Sequence, residues 1–373
     1  MSGWDGGGEE ADGGESGAAE SETTEFATEI AVVVRKPRSQ EAIEALREEG
    51  VYDRARSVAP IDDDHVAIPV QKPPRETEVV DTRPVELPHR ERGLDDLLAE
   101  RGFSAEEIDA APSSWAVVGD IVLVDLGDVS TGSPTRSPLP ADHRREVGEA
   151  LLELHPNAET VLARGGVSGA RRRPDTEVVA GTGGTETVHV EHGTEYVLDL
   201  SEVMFSPGNQ AERVRMGEVV EPDELVFDMF AGVGYFALPM ARVGARVVAT
   251  EINPVAHRLL VEGARRNGVD DRIDAVLGDC RDVDLDADAP VDRVVMGYYD
   301  AYEYLDVALS AIREGGTLHL HEAAPEPRFP ERPVARLETA ASEAGWAIEV
   351  LEWRVVKDHS PGVVHGVVDA RVD

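Results

Sequence analysis

The 373-residue sequence holds one cysteine, Cys280, and only three lysines, Lys36, Lys72 and Lys357. A lone cysteine excludes an intramolecular disulfide and a cysteine-based metal site, and no metal is expected. No apolar run reaches the ~20 residues of a membrane span. The acidic N-terminus also has no apolar stretch of the kind a secretory signal carries. Neither a membrane anchor nor secretion is expected, and a reducing cytoplasm fits. Positive charge is scarce as well: 36 basic residues stand against 74 acidic ones, a net charge of −38, and arginine supplies nearly all of the cations. Such a chain either avoids polyanions or belongs to a high-salt cytoplasm, where an acidic surface maintains solubility. The acids are spread along the whole chain, which favours the second reading. Nucleic acid would then be held by shape, stacking and local arginine clusters rather than by bulk charge.

What is present is enough apolar residue, 41%, for a globular protein of two or three domains. Residues 1–25 contain eight acids, seven glycines and no basic residue, and read as a disordered acidic leader. From 26 to 85 the pattern is a small α/β domain. It has strands at Ile30-Ala31-Val32-Val33-Val34 and Val66-Ala67-Ile68-Pro69-Val70, and a helix capped by Ser39. Residues 86–200 form a second, mixed α+β domain that closes in a hairpin turning at His192-Gly193. From 201 to 373 strands and helices alternate. The strands fall at 225–228, 246–251, 273–277, 291–296, 316–321, 346–352 and 363–372. The expected fold is a doubly wound, mostly parallel Rossmann-like sheet whose last two strands make an antiparallel edge.

The densest signal is Asp228-Met229-Phe230-Ala231-Gly232-Val233-Gly234, set between an apolar strand and a helix. Glycines there let the backbone approach a ligand closely. The next strand ends in Glu251, placed to accept hydrogen bonds from ribose hydroxyls, followed by Ile252. The third ends in Gly278-Asp279-Cys280, where an acid can accept from an adenine amino group. Three strand ends thus converge on one crevice. A dinucleotide site wants a third glycine and no acid facing its pyrophosphate, and a phosphate loop wants a lysine. An aspartate before the turn suits a cationic, phosphate-free ligand, so the expected cofactor is S-adenosylmethionine, held by Asp228, Phe230, Gly232, Gly234, Glu251, Ile252, Asp279 and Cys280. Cys280 beside Asp279 suits backbone contact with adenine better than nucleophilic attack. His319 and His321 lack a third ligand at metal spacing and read as core or substrate-facing residues.

Several segments carry a family resemblance. They are Phe205-Ser206-Pro207-Gly208-Asn209-Gln210-Ala211-Glu212-Arg213-Val214-Arg215, the glycine turn, Glu251-Ile252-Asn253-Pro254 and Gly278-Asp279. Together they resemble the archaeal and eukaryotic enzymes that modify the purine 3′ of the tRNA anticodon. Two groups share the pattern: guanosine-37 N1-methyltransferases and wybutosine-synthesis aminocarboxypropyltransferases. The methyltransferases carry an Asn-(Leu/Pro)-Pro turn after the fourth strand. This chain has Met296-Gly297-Tyr298-Tyr299 instead, which resembles the aminocarboxypropyltransferase group. So do Leu318-His319-Leu320-His321-Glu322 and Lys357-Asp358-His359-Ser360-Pro361.

The resemblance implies a class I S-adenosylmethionine-dependent fold. It also implies transfer of the 3-amino-3-carboxypropyl group to C7 of 4-demethylwyosine at tRNA(Phe) position 37. Methyl transfer to guanosine N1 and a non-catalytic RNA-binding relative are the alternatives. It places Ser206 and Arg213 on the methionine side of the cofactor. The candidate catalytic residues are Glu212, matching a general-base position of the methyltransferases, Asn209 and Tyr298. On the residues alone, Glu212 beside Arg213 and Arg215 reads equally well as a structural ion pair. Arg171, Arg172 and Arg173 in a glycine-rich stretch, with Arg144 and Arg145, are the candidate RNA contacts. Arg35-Lys36-Pro37-Arg38 and Arg265-Arg266 are further basic clusters. The expected partner is the tRNA anticodon stem-loop, and a monomer is expected.

Overall fold

The computed structural model describes residues 30–88, 90, 92–127, 139–169, 171–283, 285 and 289–373. The acidic leader lies outside them. The chain divides into two compact units, one ending at Arg92 and one running from Gly93 to Asp373.

The first unit contains β1 (Ile30–Arg35), α1 (Ser39–Glu48), β2 (Ala59–Pro60), β3 (His65–Val70) and β4 (Asp81–Pro84). Its antiparallel sheet has the order β2-β3-β1-β4. Ala42 and Leu46, one helical turn apart on α1, bury against Val32, Val34 and Ile68. Ser39 is not the cap expected of it. It is the first helical residue, Arg38 occupies the cap position, and the Ser39 hydroxyl donates to the Lys36 carbonyl at 2.8 Å.

The second unit begins with α2 (Leu94–Glu100), α3 (Ala105–Ala110), β5 (Trp115–Val118), β6 (Ile121–Val124), α4 (Ala141–Leu154), β7 (Thr160–Ser168) and β8 (Arg173–Gly181). β5 to β8 form one sheet in chain order, with α4 covering a core of Val122, Val124, Leu151 and Val161. The glycine- and arginine-rich stretch is therefore the end of a strand pair, and Arg171 and Arg172 sit at its turn. β9 (Glu186–Glu191) and β10 (Thr194–Asp199) make the expected hairpin. Both turn residues take positive φ, 48° at His192 and 78° at Gly193, as a two-residue turn matched to strand twist requires.

The largest sheet follows. Its elements are α5 (Gln210–Val219), β11 (Leu225–Asp228), α6 (Ala237–Arg242), β12 (Arg246–Glu251), α7 (Pro254–Arg266), β13 (Ile273–Leu277), β14 (Val291–Met296), α8 (Leu305–Ala311), β15 (Ile312–Pro325), α9 (Glu331–Ala344), β16 (Ile348–Ser360) and β17 (Val363–Val372). The order is β13-β12-β11-β14-β15-β17-β16. The first five are parallel, and β17 runs antiparallel between β15 and β16. Chain order reverses between β11 and β14, so a crevice opens over the carboxyl ends of those strands. β16 extends to Ser360, beyond the expected 352. Its polar residues at 354 and 357 conceal the strand, because their partners lie elsewhere in the unit.

Candidate functional site

The crevice over the switch point has a volume of about 180 Å³. Its floor is the turn after β11. Gly232 and Gly234 take φ of +59° and +96°. A Cβ on Gly232 would lie 2.7 Å from the Tyr235 ring, and one on Gly234 would lie 2.7 Å from both Leu238 and Leu260. Both glycines are thus demanded by backbone and by packing. Gly232 lines the crevice with Phe230, whereas Gly234 fits the turn onto α6 and α7 without reaching the wall. Asp228 does not reach the wall either. It is fully buried. Burial pushes its carboxyl up to about 7, partly offset by the amides of Phe230 and Ala237.

Glu251 stands at the end of β12. Its Oε2 accepts from the Gly232 amide at 2.8 Å and its Oε1 from the Asn253 amide at 2.7 Å. Burial raises its carboxyl above the ordinary value, against the amides of Asn253, Gly232 and Ile252. Each oxygen keeps acceptor capacity for a vicinal diol. Ile252 completes this wall. Asp279 and Cys280 follow β13. The Arg281 guanidinium, bonded to Asp279 at 2.9 Å, holds that carboxyl down to about 2. Cys280 is buried and its thiol is pushed up to about 12, which removes it as a nucleophile at neutral pH.

Ser206, Asn209 and Arg213 form the opposite wall. Arg213 is 3% exposed. It forks onto Glu191 at 2.6 and 2.8 Å, and its Nη1 donates to the Ser206 carbonyl at 3.1 Å. The Phe205 ring lies 5.0 Å from its guanidinium carbon. The Ser206 hydroxyl accepts from Lys357. Burial, with Arg164, Arg213 and Arg172 nearby, lowers the Lys357 ammonium to about 8. Asn209 Oδ1 is buried without a partner. Glu191 was not named from sequence, and Lys357 entered only as a scarce lysine within a resembling segment, with no site role. Glu191 lies far from Arg213 along the chain and gives no local signal. Lys357 could have been flagged as a lysine retained where arginine otherwise prevails.

Glu212 is not in the crevice wall. It is 3% exposed and forks onto Arg354, with Arg354 Nε at 2.8 Å. Arg354 also donates to Asp369 at 2.7 Å, and Asp369 takes His319 Nδ1 at 2.7 Å and Arg215 Nη2 at 2.7 Å. Burial opposes the charge on Asp369, yet His319 and Arg354 hold its carboxyl well below the usual range. Glu212 thus stands in an ion pair, the second of the two readings its sequence context offered, and its partner is neither Arg213 nor Arg215. Tyr298 and Tyr299 do line the crevice. The Arg172 guanidinium lies 5.9 and 5.2 Å from their rings, and the Phe230 ring lies 5.3 Å from that of Tyr298. A Cβ on Gly297 would meet the Phe236 ring at 2.7 Å.

The arginines part company. Arg171 and Arg172 line the crevice, and Arg172 holds φ of 51° at its turn. Arg173 pairs with Glu202. Arg144 is buried, bonded to the Gly127 carbonyl at 3.1 Å and paired with Glu177. It anchors α4 to β8 and is no surface contact, which corrects that expectation. Arg145 is exposed, with Glu149 at 3.8 Å. Arg38 is paired with Glu41 and Glu78, and Arg266 with Glu195 and Glu262. Among the described residues no cluster suits a metal ion, and no helix is long and apolar enough to cross a membrane.

Comparison with known proteins agrees with this geometry. Residues 187–351 match the TRM5/TYW2 methyltransferase domain and residues 94–185 the TYW2 N-terminal domain. The tRNA(Phe) (4-demethylwyosine(37)-C(7)) aminocarboxypropyltransferase of Pyrococcus horikoshii is 39% identical over 72% of this chain and 92% of its own. The crystal structure of P. horikoshii TYW2 in complex with MeSAdo superposes with a TM-score of 0.63 and 35% identity, covering 74% of this chain and 96% of that one. Trm5b of Pyrococcus abyssi superposes with a TM-score of 0.66 and 30% identity, covering 92% and 99%. The chain belongs to the TRM5/TYW2 methyltransferase family.

Proposed function

We propose that this chain transfers the 3-amino-3-carboxypropyl group of S-adenosylmethionine to C7 of 4-demethylwyosine at position 37 of tRNA(Phe). The crevice suits that cofactor. Glu251 has acceptor capacity toward a ribose diol, and Asp279 and Cys280 line the same crevice where an adenine would lie. Bound there, S-adenosylmethionine supplies an electrophilic carbon next to a sulfonium leaving group. Which carbon reacts is a matter of placement, since only a group held at near-attack distance is transferred. Arg213, Lys357 and Ser206 fix the carboxylate of the methionine arm. Arg171 and Arg172 receive the tRNA backbone beside the crevice, and Tyr298 and Tyr299 offer rings on which an unstacked base can rest.

The observation that carries the choice of group is the turn Gly297-Tyr298-Tyr299. It presents no amide side chain to orient guanine, and Gly297 lies flat against Phe236. Relatives 39% and 38% identical to this chain are named as aminocarboxypropyltransferases. A cytoplasmic enzyme acting as a monomer goes with this reading. The test is chromatography of the spent cofactor after reaction with tRNA(Phe) bearing 4-demethylwyosine. Methylthioadenosine is expected. S-adenosylhomocysteine in its place rejects the reading in favour of methyl transfer.

A further inference from the structure

The proposed reaction releases a proton from carbon, and this inference rests on that reading. The base carbon C7 bonds to the γ-carbon of the methionine arm while the C–S bond breaks and sulfur keeps its electron pair. C7 then carries both the new group and its original hydrogen, on a cationic ring. Aromaticity returns when that hydrogen leaves as a proton, so an acceptor is needed.

Few groups lining the crevice can accept one. Glu251 and Asp279 lie at the nucleoside end. The phenols of Tyr298, Tyr299 and Tyr304 are held protonated by burial, and so is the Cys280 thiol. Arginines stay charged. What remains is a pair of imidazoles. His321 on β15 and His365 on β17 both line the crevice and are 1% and 2% exposed. His321 Nδ1 and His365 Nε2 are hydrogen-bonded at 3.0 Å. The outer nitrogens, His321 Nε2 and His365 Nδ1, are buried without partners. Such orphaned nitrogens cost stability and are retained where they have work to do.

We propose that the His321–His365 pair accepts the C7 proton and relays it away from the base. With His321 Nδ1–H donating to His365 Nε2, the lone pair on His321 Nε2 is free and His365 Nδ1 carries a hydrogen. The proton enters at His321 Nε2 and the shared proton crosses to His365 Nε2, so His365 holds the added charge until its Nδ1 proton passes to water that enters the crevice as product leaves. The pair ends neutral with both tautomers reversed.

Burial keeps both rings neutral, His321 down to about 3, with His319 and Arg354 adding to the effect, and His365 down to about 2. Lys357 and His359 press the same way on His365, while Glu212 opposes. A weak base suffices, because the cationic ring is a far stronger acid than imidazolium.

The test uses full-length enzyme and tRNA(Phe) whose 4-demethylwyosine carries tritium or deuterium at C7. Wild-type enzyme should release tritium to water in step with methylthioadenosine, with a deuterium effect near unity. His321→Asn and His365→Asn should each slow tritium release by about a hundredfold, the usual scale for a general base. Both should show a clear primary isotope effect and unchanged calorimetric affinity for methylthioadenosine, which reports an intact fold. Unchanged tritium release, or slow release without an isotope effect, overturns the relay. So does an isotope effect appearing in Lys357→Met and not in the histidine variants. Wild-type enzyme yielding S-adenosylhomocysteine removes the underlying reaction, and the proposal with it, and the product separates that failure from the others.

Discussion

The two walls of the crevice are held by different forces. At the nucleoside end, Glu251 is fixed by main-chain amides that follow directly from the turn after β11 and from its own strand end. At the other end, Arg213, Lys357 and Arg172 gather cations that repel one another, with Arg213 restrained by its fork onto Glu191. The first wall is preorganised by backbone. The second stores electrostatic tension that an incoming carboxylate or phosphate relieves. On the proposed assignment, a ligand with both a nucleoside and an anionic arm would be gripped rigidly at one end and electrostatically at the other.

Glu251→Ala strikes the rigid wall and should have the largest effect. Two charge-assisted hydrogen bonds are lost, each about 1.5–3 kcal/mol. Calorimetry should show S-adenosylmethionine binding weakened more than about a hundredfold, at unchanged circular dichroism. Wild-type affinity would end the ribose assignment.

Glu212→Gln tests the network behind the second wall. Removing one partner of a buried pair costs about 3–5 kcal/mol, so the melting temperature should fall. A normal melting temperature with transfer lost would return Glu212 to the chemistry.

Third comes the double variant Arg171→Ala/Arg172→Ala, which should weaken tRNA binding and flatten its salt dependence by up to about two phosphate contacts. Adding Arg173→Ala should change little more, because Glu202 already engages it. No change in slope would make the turn purely structural.

The smallest effect is a pH dependence. Lys357 loses its charge as pH rises through about 8. Affinity for S-adenosylmethionine should therefore be greater at pH 7 than at pH 9, while methylthioadenosine, lacking the carboxylate, binds equally at both. Lys357→Met should abolish the difference, and a pH effect shared by both ligands would place the titrating group elsewhere.

The rigid wall was legible in the sequence because its parts are local. Turn, strand end and acid follow one another within each βα unit, and glycine at positive φ leaves a mark that reads without a structure. The electrostatic wall was legible only in part. Ser206 and Arg213 could be named, but Glu191 sits on a different hairpin and Arg354 on an edge strand whose polar residues conceal its extent. The partners of Glu212 and Arg144 were hidden for one reason: a charged residue in a sequence does not disclose whether its partner is solvent, substrate or another part of the same protein. The histidine pair shows the same limit. His321 and His365 meet only because β17 inserts next to β15.

That insertion has a consequence for biosynthesis. β17, the last of its sheet's strands in chain order, is an interior one, so a nascent polypeptide lacking it leaves β15 with an open flank and no counterpart for His321. The sheet cannot close progressively in chain order. It must wait for β17 to emerge and slot inward, and products truncated before it would expose an adhesive edge to chaperones or aggregation.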